Sequence, residues 1–399
     1  MPSVEGFERM KLMLEELGHP ESGLKILHIA GTNGKGSTAV MISSILEQAG
    51  YSIGLFTSPH LELECERLQL WDGTHKMIPQ DHFEELMERA REARRKVSDN
   101  DESLFDIYTA AAYLWFSEVK PDYAVMECGL GGRLDMTNTI EKPLVSVITQ
   151  VGLDHTAELG NTIFKVAREK AGIIKPGVPV VSGSPEPLVS NIFKKTAEEK
   201  GCSFIDASLQ VDRYKDYVIG MQGAHQLRNA ATAVSAVKAA GIEVSEEAVR
   251  NGLSKAVLSG RFEILREKPY WIIDGAHNPQ AMEALAETFN GFARRNKIRR
   301  TLFIFGCMKD KDCRRMINIM TDSLRGVSYA AAAVDYERAQ DPEIISEMFA
   351  DNGRKCVFTG SVRDAFDYAK TSGYECVITA GSIYIAGEMR ELFSSKYSD

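Results

Sequence analysis

Gly31-Thr32-Asn33-Gly34-Lys35-Gly36-Ser37 decides how this chain is read, because an apolar run precedes it and a helical pattern follows. Leu24–Ala30 reads as a strand, with Ile26, Leu27 and Ile29 apolar. Thr38–Gln48 reads as a helix, with Val40, Met41, Ile45 and Leu46 on one stripe and Gly50 just past its end. Three glycines let such a turn close tightly and aim N–H groups inward, at a helix N-terminus that already favours negative charge. Lys35 adds a mobile cation, and Ser37 a hydroxyl able to ligate magnesium. The spacing departs from the usual P-loop: Gly36 separates lysine from hydroxyl, and Ile29 stands where a first glycine would be. Strand, lysine and helix together still point to phosphate binding.

Outward from this turn, short apolar runs alternate with longer helical patterns. Ser52–Phe56, Asp122–Met126, Leu144–Gln150 and Val178–Ser182 read as strands. Asp81–Val97, with Asp81 as N-cap, Leu104–Phe116 and Thr162–Gly172 read as helices. This rhythm predicts a parallel, doubly wound α/β sheet. It restarts after Gly260, with strands at Tyr270–Asp274, Thr301–Phe305, Val327–Ala332 and Glu375–Thr379. Helices near Pro279–Phe289, Cys313–Leu324 and Pro342–Ala350 separate them. A chain of 399 residues suggests two domains, and Val257–Phe262 is the expected hinge.

Composition sets bounds. Apolar content of 44% and charged content of 26% are those of an ordinary globular protein. A net charge of −9 argues against general nucleic-acid binding. No apolar run reaches membrane-spanning length, and the start, Met1 to Glu5, lacks the pattern of a signal peptide. Seven scattered cysteines without a C-x-x-C pair suggest a reduced, cytoplasmic protein with no disulfide framework.

Several polar residues fall just beyond predicted strands, where α/β sheets gather ligands. Glu127 precedes Cys128-Gly129-Leu130-Gly131-Gly132-Arg133-Leu134-Asp135 and is placed to hold the magnesium that bridges nucleotide phosphates. Lys35 and Glu127 are both expected on surface loops. His155 follows Asp154 after another strand, a structural or a metal-ligating position. Ser58 follows a third strand and suits either capping or metal ligation. Lys170 reads most simply as a cation near a helix C-terminus. Asn229 lies in an alanine-rich helix opened by Gly223-Ala224-His225-Gln226, and Asp274-Gly275-Ala276-His277-Asn278-Pro279 opens a helix in the second domain. Two polar turns on separate domains suggest one nucleotide held across a cleft.

These segments together resemble the folylpolyglutamate synthase/dihydrofolate synthase family of the Mur ligase superfamily. The resemblance rests on His28 to Ser37, Thr57-Ser58-Pro59-His60-Leu61, Glu66-Arg67, Glu127 to Asn138, Leu153-Asp154-His155 and Glu169 to Ile173. It continues through His225-Gln226, Asn229-Ala230, Gly260 to Glu263, Asp274 to Pro279, Asp310-Lys311-Asp312 and Gly381 to Tyr384. It implies a P-loop ATPase and folate-binding domain over 1–258 and a smaller Rossmann-like α/β domain over 259–399. It implies ATP-dependent ligation of L-glutamate to a pteroate or folate through an acyl phosphate, by a monomer.

Roles follow by the same resemblance. Gly31, Thr32, Asn33, Gly34, Lys35, Gly36 and Ser37 would hold the ATP phosphates, and Asn229, Arg261, Asp274 and His277 would contact the nucleotide. Ser37 and Glu127 would bind one magnesium ion, and Ser58, Glu127 and His155 a second. A monovalent cation is a further implied cofactor. Lys170 is similar to a carbamylated lysine that organises the metals, so Lys35, Glu127, His155 and Lys170 would form the catalytic set. Met136 stands where the family commonly has alanine, Asp106 where it has glutamate, and Ala224 where it has an acid. The bulkier Met136 is expected to alter acceptor fit. A ligase of the same fold with another acceptor acid, a nucleotide-binding regulator and a simple kinase are the competing readings.

Overall fold

A computed structural model describes residues 3–98 and 104–397, so Met1 and Pro2 of the leader reading lie outside the described residues. The chain forms two compact units. The first comprises Met1–Gly220 and Gln226–Val257, the second Met221–His225 and Leu258–Asp399.

In the first unit the elements run α1 (Val4–Glu16), β1 (Ile26–Ala30), α2 (Lys35–Gln48), β2 (Ile53–Phe56), β3 (Leu68–Trp71), β4 (Lys76–Met77), α3 (Gln80–Val97), α4 (Phe105–Val119) and β5 (Tyr123–Glu127). They continue with β6 (Val145–Ile148), α5 (Thr156–Leu159), α6 (Ile163–Ala171), β7 (Val180–Ser182), α7 (Pro187–Glu199), β8 (Phe204–Asp206), α8 (His225–Ala239) and α9 (Glu246–Lys255). The 8-stranded sheet has the order β4-β3-β2-β5-β1-β6-β7-β8. β2, β5, β1, β6, β7 and β8 pair in parallel, while β3 and β4 add an antiparallel edge that the sequence pattern did not predict. β1, β2 and β6 are buried at every position, which explains their near-continuous apolar runs.

Two local expectations change. Pro79, not Asp81, occupies the N-cap of α3, and Asp81 lies in its first turn. The core side of α2 is wider than one stripe: every residue from Ser37 to Leu46 is buried. α9 covers the face opposite the sheet, at a distance set by Gly252, where a Cβ would lie 2.5 Å from Ile45 Cα. Ser44 Oγ donates to Gly252 O at 2.8 Å, so this polar residue stays satisfied inside the contact.

Asp106, at the start of α4, is fully buried between Arg9 (2.9 Å) and Arg94 (3.3 Å) and accepts from Ile107 N. Its removal would take a buried carboxylate away from both guanidiniums, the costly way to break a buried ion pair. The residue therefore ties α1, α3 and α4 into one layer.

The second unit contains β9 (Glu263–Glu267), β10 (Tyr270–Ile273), α10 (Pro279–Arg295), β11 (Thr301–Phe305), α11 (Cys313–Ser323) and β12 (Val327–Ala333). α12 (Pro342–Asp351), β13 (Phe358–Ser361), α13 (Val362–Thr371), β14 (Cys376–Ala380) and α14 (Ile383–Tyr397) complete it. Its 6-stranded sheet runs β13-β12-β11-β14-β10-β9, parallel except for β9 against β10. The expectation of unpaired cysteines fails here, because Cys307 and Cys313 form a disulfide. The turn between β11 and α11 folds back and brings their Cα atoms to 6.3 Å, within bonding reach. No helix among the described residues is long and apolar enough to cross a membrane.

Candidate active site

β1, the strand that leads into the glycine turn, lies between β5 and β6, so three carboxyl ends meet there. Register places Glu127 beside Ile29, and Cys128 N donates to Ile29 O at 2.8 Å. Phe56 pairs with Met126, which sets Thr57 and Ser58 next to Glu127. Ser58 N donates to Glu127 Oε2 at 3.1 Å, and Lys35 Nζ lies 3.9 Å from Oε1. Glu127 is the last residue of β5 and is buried, and Lys35 is the first residue of α2. Neither is on a surface loop as expected, because the parallel register continues through Glu127.

The glycine turn is stitched to the segment after β6. Thr32 N and Asn33 N both donate to Gln150 O, Thr149 Oγ1 donates to Asn33 O at 2.9 Å, and Gly152 N donates to Thr32 Oγ1 at 3.0 Å. Gly34 adopts a left-handed backbone (φ 86°), and Asn229 Oδ1 lies only 2.4 Å from where its Cβ would be. Asn229, from α8, thus sits directly over the turn, with its Nδ2 donating to Gln226 Oε1 at 2.9 Å. Ser37 is buried in the first turn of α2.

Lys170 lies in the last turn of α6, the helix-end position that spacing alone suggests. It is buried, and its Nζ donates to Gly31 O at 2.6 Å. Burial first, then the nearby charge of Lys35, push its ammonium down to about 7. His155 caps α5 in a left-handed conformation, with its N–H on Asp154 Oδ1 and its Nε2 3.9 Å from that oxygen. Its segment adjoins the turn through the Thr32–Gly152 bonds.

The loop from Gly129 to Asn138 packs on α6. Arg133 N donates to Glu169 O, and a Cβ at Gly132 would lie 2.8 Å from the same oxygen. Met136 turns into the core. It is 4% exposed in the apolar cluster of α1, α3 and α4, with its Cε 3.1 Å from where Gly6 of α1 would carry a Cβ. A helix glycine thus accommodates the longer side chain, and the core absorbs it.

The second unit brings Arg261, before β9, against the Asp274–His277 turn that follows β10. Asp274 accepts from Phe262 N and Ala276 N, both at 2.8 Å, knitting Gly260–Glu263 to the start of α10. Burial pushes its carboxyl up, with the charge of Arg261 opposing. Arg261 donates to Gly260 O at 3.0 Å, and His277 Nδ1 donates to Gly275 O at 2.8 Å. The contacts that spacing did not reveal are the Thr149–Gly152 stitch and the bonds of His28 to the Gly129–Asn138 loop.

The donor set suits a hard divalent cation held partly by phosphate oxygens. Ser37 and Ser58 offer hydroxyls, Glu127 a carboxylate and His155 an imidazole, and among the described residues no three His, Cys, Asp or Glu converge into a self-sufficient metal cluster.

Family models match both units: the Mur ligase middle domain over residues 29–212 and the Mur ligase, glutamate ligase domain over 260–383. Dihydrofolate synthase/folylpolyglutamate synthase of Bacillus subtilis (strain 168) is 34% identical over 414 residues, covering 97% of this chain and 94% of that one. The solved structure of Escherichia coli FolC in complex with DHPP and ADP matches with a TM-score of 0.83 and 30% identity, over 98% of this chain and 93% of that one. The bifunctional folylpolyglutamate synthase/dihydrofolate synthase of Yersinia pestis, complexed with AMPPNP and a Mn ion, gives a TM-score of 0.83 and 29% identity over 97% and 93% of the two chains. At this identity and coverage, the chain belongs to the dihydrofolate synthase/folylpolyglutamate synthase family of Mur ligases.

Proposed function

We propose that the chain transfers the γ-phosphoryl group of ATP to the carboxylate of a pteroate or folate and joins L-glutamate to the resulting acyl phosphate. As a member of its family it is an ATP-dependent ligase, and its small-molecule partners follow from that. The observation that carries the reading is Glu127, buried at the end of β5 and aimed by Ser58 N–H beside Lys35 at the glycine turn. A carboxylate resists attack because charge and resonance stabilise it, whereas an acyl phosphate carries a good leaving group.

The division of labour is mostly positioning and charge neutralisation. The Gly31–Ser37 turn would cradle the phosphates with backbone N–H groups, and Lys35 would neutralise charge on the transferred group. Ser37, Ser58, Glu127 and His155 would hold the divalent cation, which supplies Lewis-acid charge stabilisation when bound. The Gly129–Asn138 loop would receive the acceptor acid. Asn229, Arg261, Asp274 and His277 would contact the nucleotide.

Product mass tests this reading. Pure protein incubated with ATP, glutamate and either dihydropteroate or tetrahydrofolate should release ADP only when both acceptor and glutamate are present, and yield the acceptor plus one glutamyl unit. ADP release without glutamate, or with neither acceptor, would sink it.

Lys170 completes the reading as a carbamate. Carbon dioxide adds only to a neutral amine, and an ammonium lowered to about 7 is about half neutral at pH 7. A carbamate keeps one N–H for Gly31 O while turning a cation into an anion. At fixed dissolved carbon dioxide, modification should rise between about pH 6 and 8 as the amine deprotonates. Native mass spectrometry with bicarbonate should show the added mass, absent in Lys170→Met. No added mass in the parent protein would leave Lys170 as a plain anchor of Gly31.

A further inference from the structure

A buried polar cluster joins the Gly129–Asn138 loop to the middle of β1. His28, in the middle of β1, is fully buried. Its Nε2 lies 2.8 Å from Thr137 Oγ1 and 3.2 Å from Cys128 Sγ, while Nδ1 has no hydrogen-bond partner among the described residues. A histidine placed only to fill the core would either satisfy both nitrogens or be replaced by an apolar residue of similar volume.

Proton counting orients the cluster. Thr137 has a single hydroxyl proton, and its Oγ1 lies 2.6 Å from Asp135 Oδ1. Asp135 also accepts from Thr137 N at 3.0 Å and Leu130 N at 2.8 Å, so the ionised carboxylate is the form that fits all three donors. The hydroxyl therefore donates to Asp135, and its lone pair faces His28. Nε2 must carry the imidazole proton, which leaves Nδ1 as a bare acceptor, a cheaper orphan than a buried N–H. Burial, then the charge of Lys175, push the imidazole down to about 3, so it stays neutral. Tyr113 Oη adds a bond to Thr137 O at 3.2 Å, and Lys175 Nζ one to Asn138 O at 2.9 Å.

We infer that His28 is a positioning residue for the acceptor: its Nε2–H, through Thr137 Oγ1, fixes Asp135 and with it the Leu130–Asp135 loop in the conformation that receives the acceptor acid. The inference rests on the function proposed above. β1 runs from His28 directly into Gly31, so one residue joins the phosphate-turn strand to the acceptor loop across 109 positions of sequence.

The test compares His28→Leu, which removes the donor, with His28→Gln, whose amide can present an N–H in its place. With the other two substrates saturating in each case, His28→Leu should raise KM for the acceptor about tenfold and leave KM for ATP within about twofold. His28→Gln should restore acceptor KM to within about threefold. Thr137→Val should reproduce the defect and Thr137→Ser should not, which keeps the test decisive where His28→Leu fails to fold. The His28→Leu/Thr137→Val pair should add little beyond either change alone. Equal rises in both KM values, or failure of glutamine to rescue at an unchanged thermal midpoint, would overturn the inference. Should the parent protein use neither pteroate nor folate, the proposed function fails separately. Amide exchange at Leu130 and Thr137 then decides for His28: about tenfold faster exchange in His28→Leu upholds the clamp on the loop, and unchanged exchange overturns it.

Discussion

Glu127→Gln is expected to lower kcat by about a thousandfold while leaving the fold in place. The substitution keeps shape and one acceptor oxygen, so Ser58 N–H retains its partner. It removes the negative charge 3.9 Å from Lys35 Nζ, and with it the anionic donor proposed for the divalent cation. Because Glu127 is buried, alanine would be a poorer probe: it would open a cavity and strand the Ser58 N–H as well. Single-turnover ADP formation, with acceptor and glutamate saturating, isolates the phosphoryl step. The thermal midpoint should fall by no more than a few degrees. Near-normal turnover at any magnesium concentration would remove Glu127 from the chemistry and leave it a strand-end acceptor for Ser58.

Several features of this site are legible in the sequence, and the reason is physical. Strands covered on both faces must be apolar throughout, so β1, β2, β5 and β6 stand out as runs, and a polar residue at the end of such a run marks the sheet's ligand edge. The edge strands lack that signal. β4 is two exposed residues and β9, Glu263–Glu267, is exposed or half-buried throughout, so neither has a periodicity to read. The stripe on α2 reads too narrow because α9 buries its second face, through a contact more than 200 positions away that no local pattern encodes. Thr149 with Asn33 and His28 with Thr137 are pairs of the same kind, 116 and 109 residues apart. Met136 shows the converse. Its size is plain in the sequence, but the direction it takes depends on Gly6, a helix position without meaning until α1 is seen to pack there.

Gly34→Ala should abolish useful nucleotide binding, raising KM for ATP at least about a hundredfold. Two effects act together. The left-handed backbone at φ 86° costs a residue with a Cβ about 1 kcal/mol, or roughly fivefold. The larger effect is steric: the new methyl would sit 2.4 Å from Asn229 Oδ1 and 3.1 Å from its Cγ. Asn229 is 7% exposed and tied to Gln226, so it has little room to withdraw, and the turn itself must move. That displaces the N–H groups proposed to cradle phosphate and weakens the first bond of α2, from Thr38 N to Gly34 O. A double-mutant cycle separates the two effects. In an Asn229→Ala background the clash is gone, so Gly34→Ala should cost only the backbone share, about fivefold, relative to Asn229→Ala alone. ADP titration by calorimetry reads each corner without needing turnover. A full hundredfold loss that persists without Asn229 would mean that the turn fails through its own backbone. Wild-type affinity in Gly34→Ala would mean that this turn does not hold the phosphates, and the nucleotide would have to be sought elsewhere on the chain.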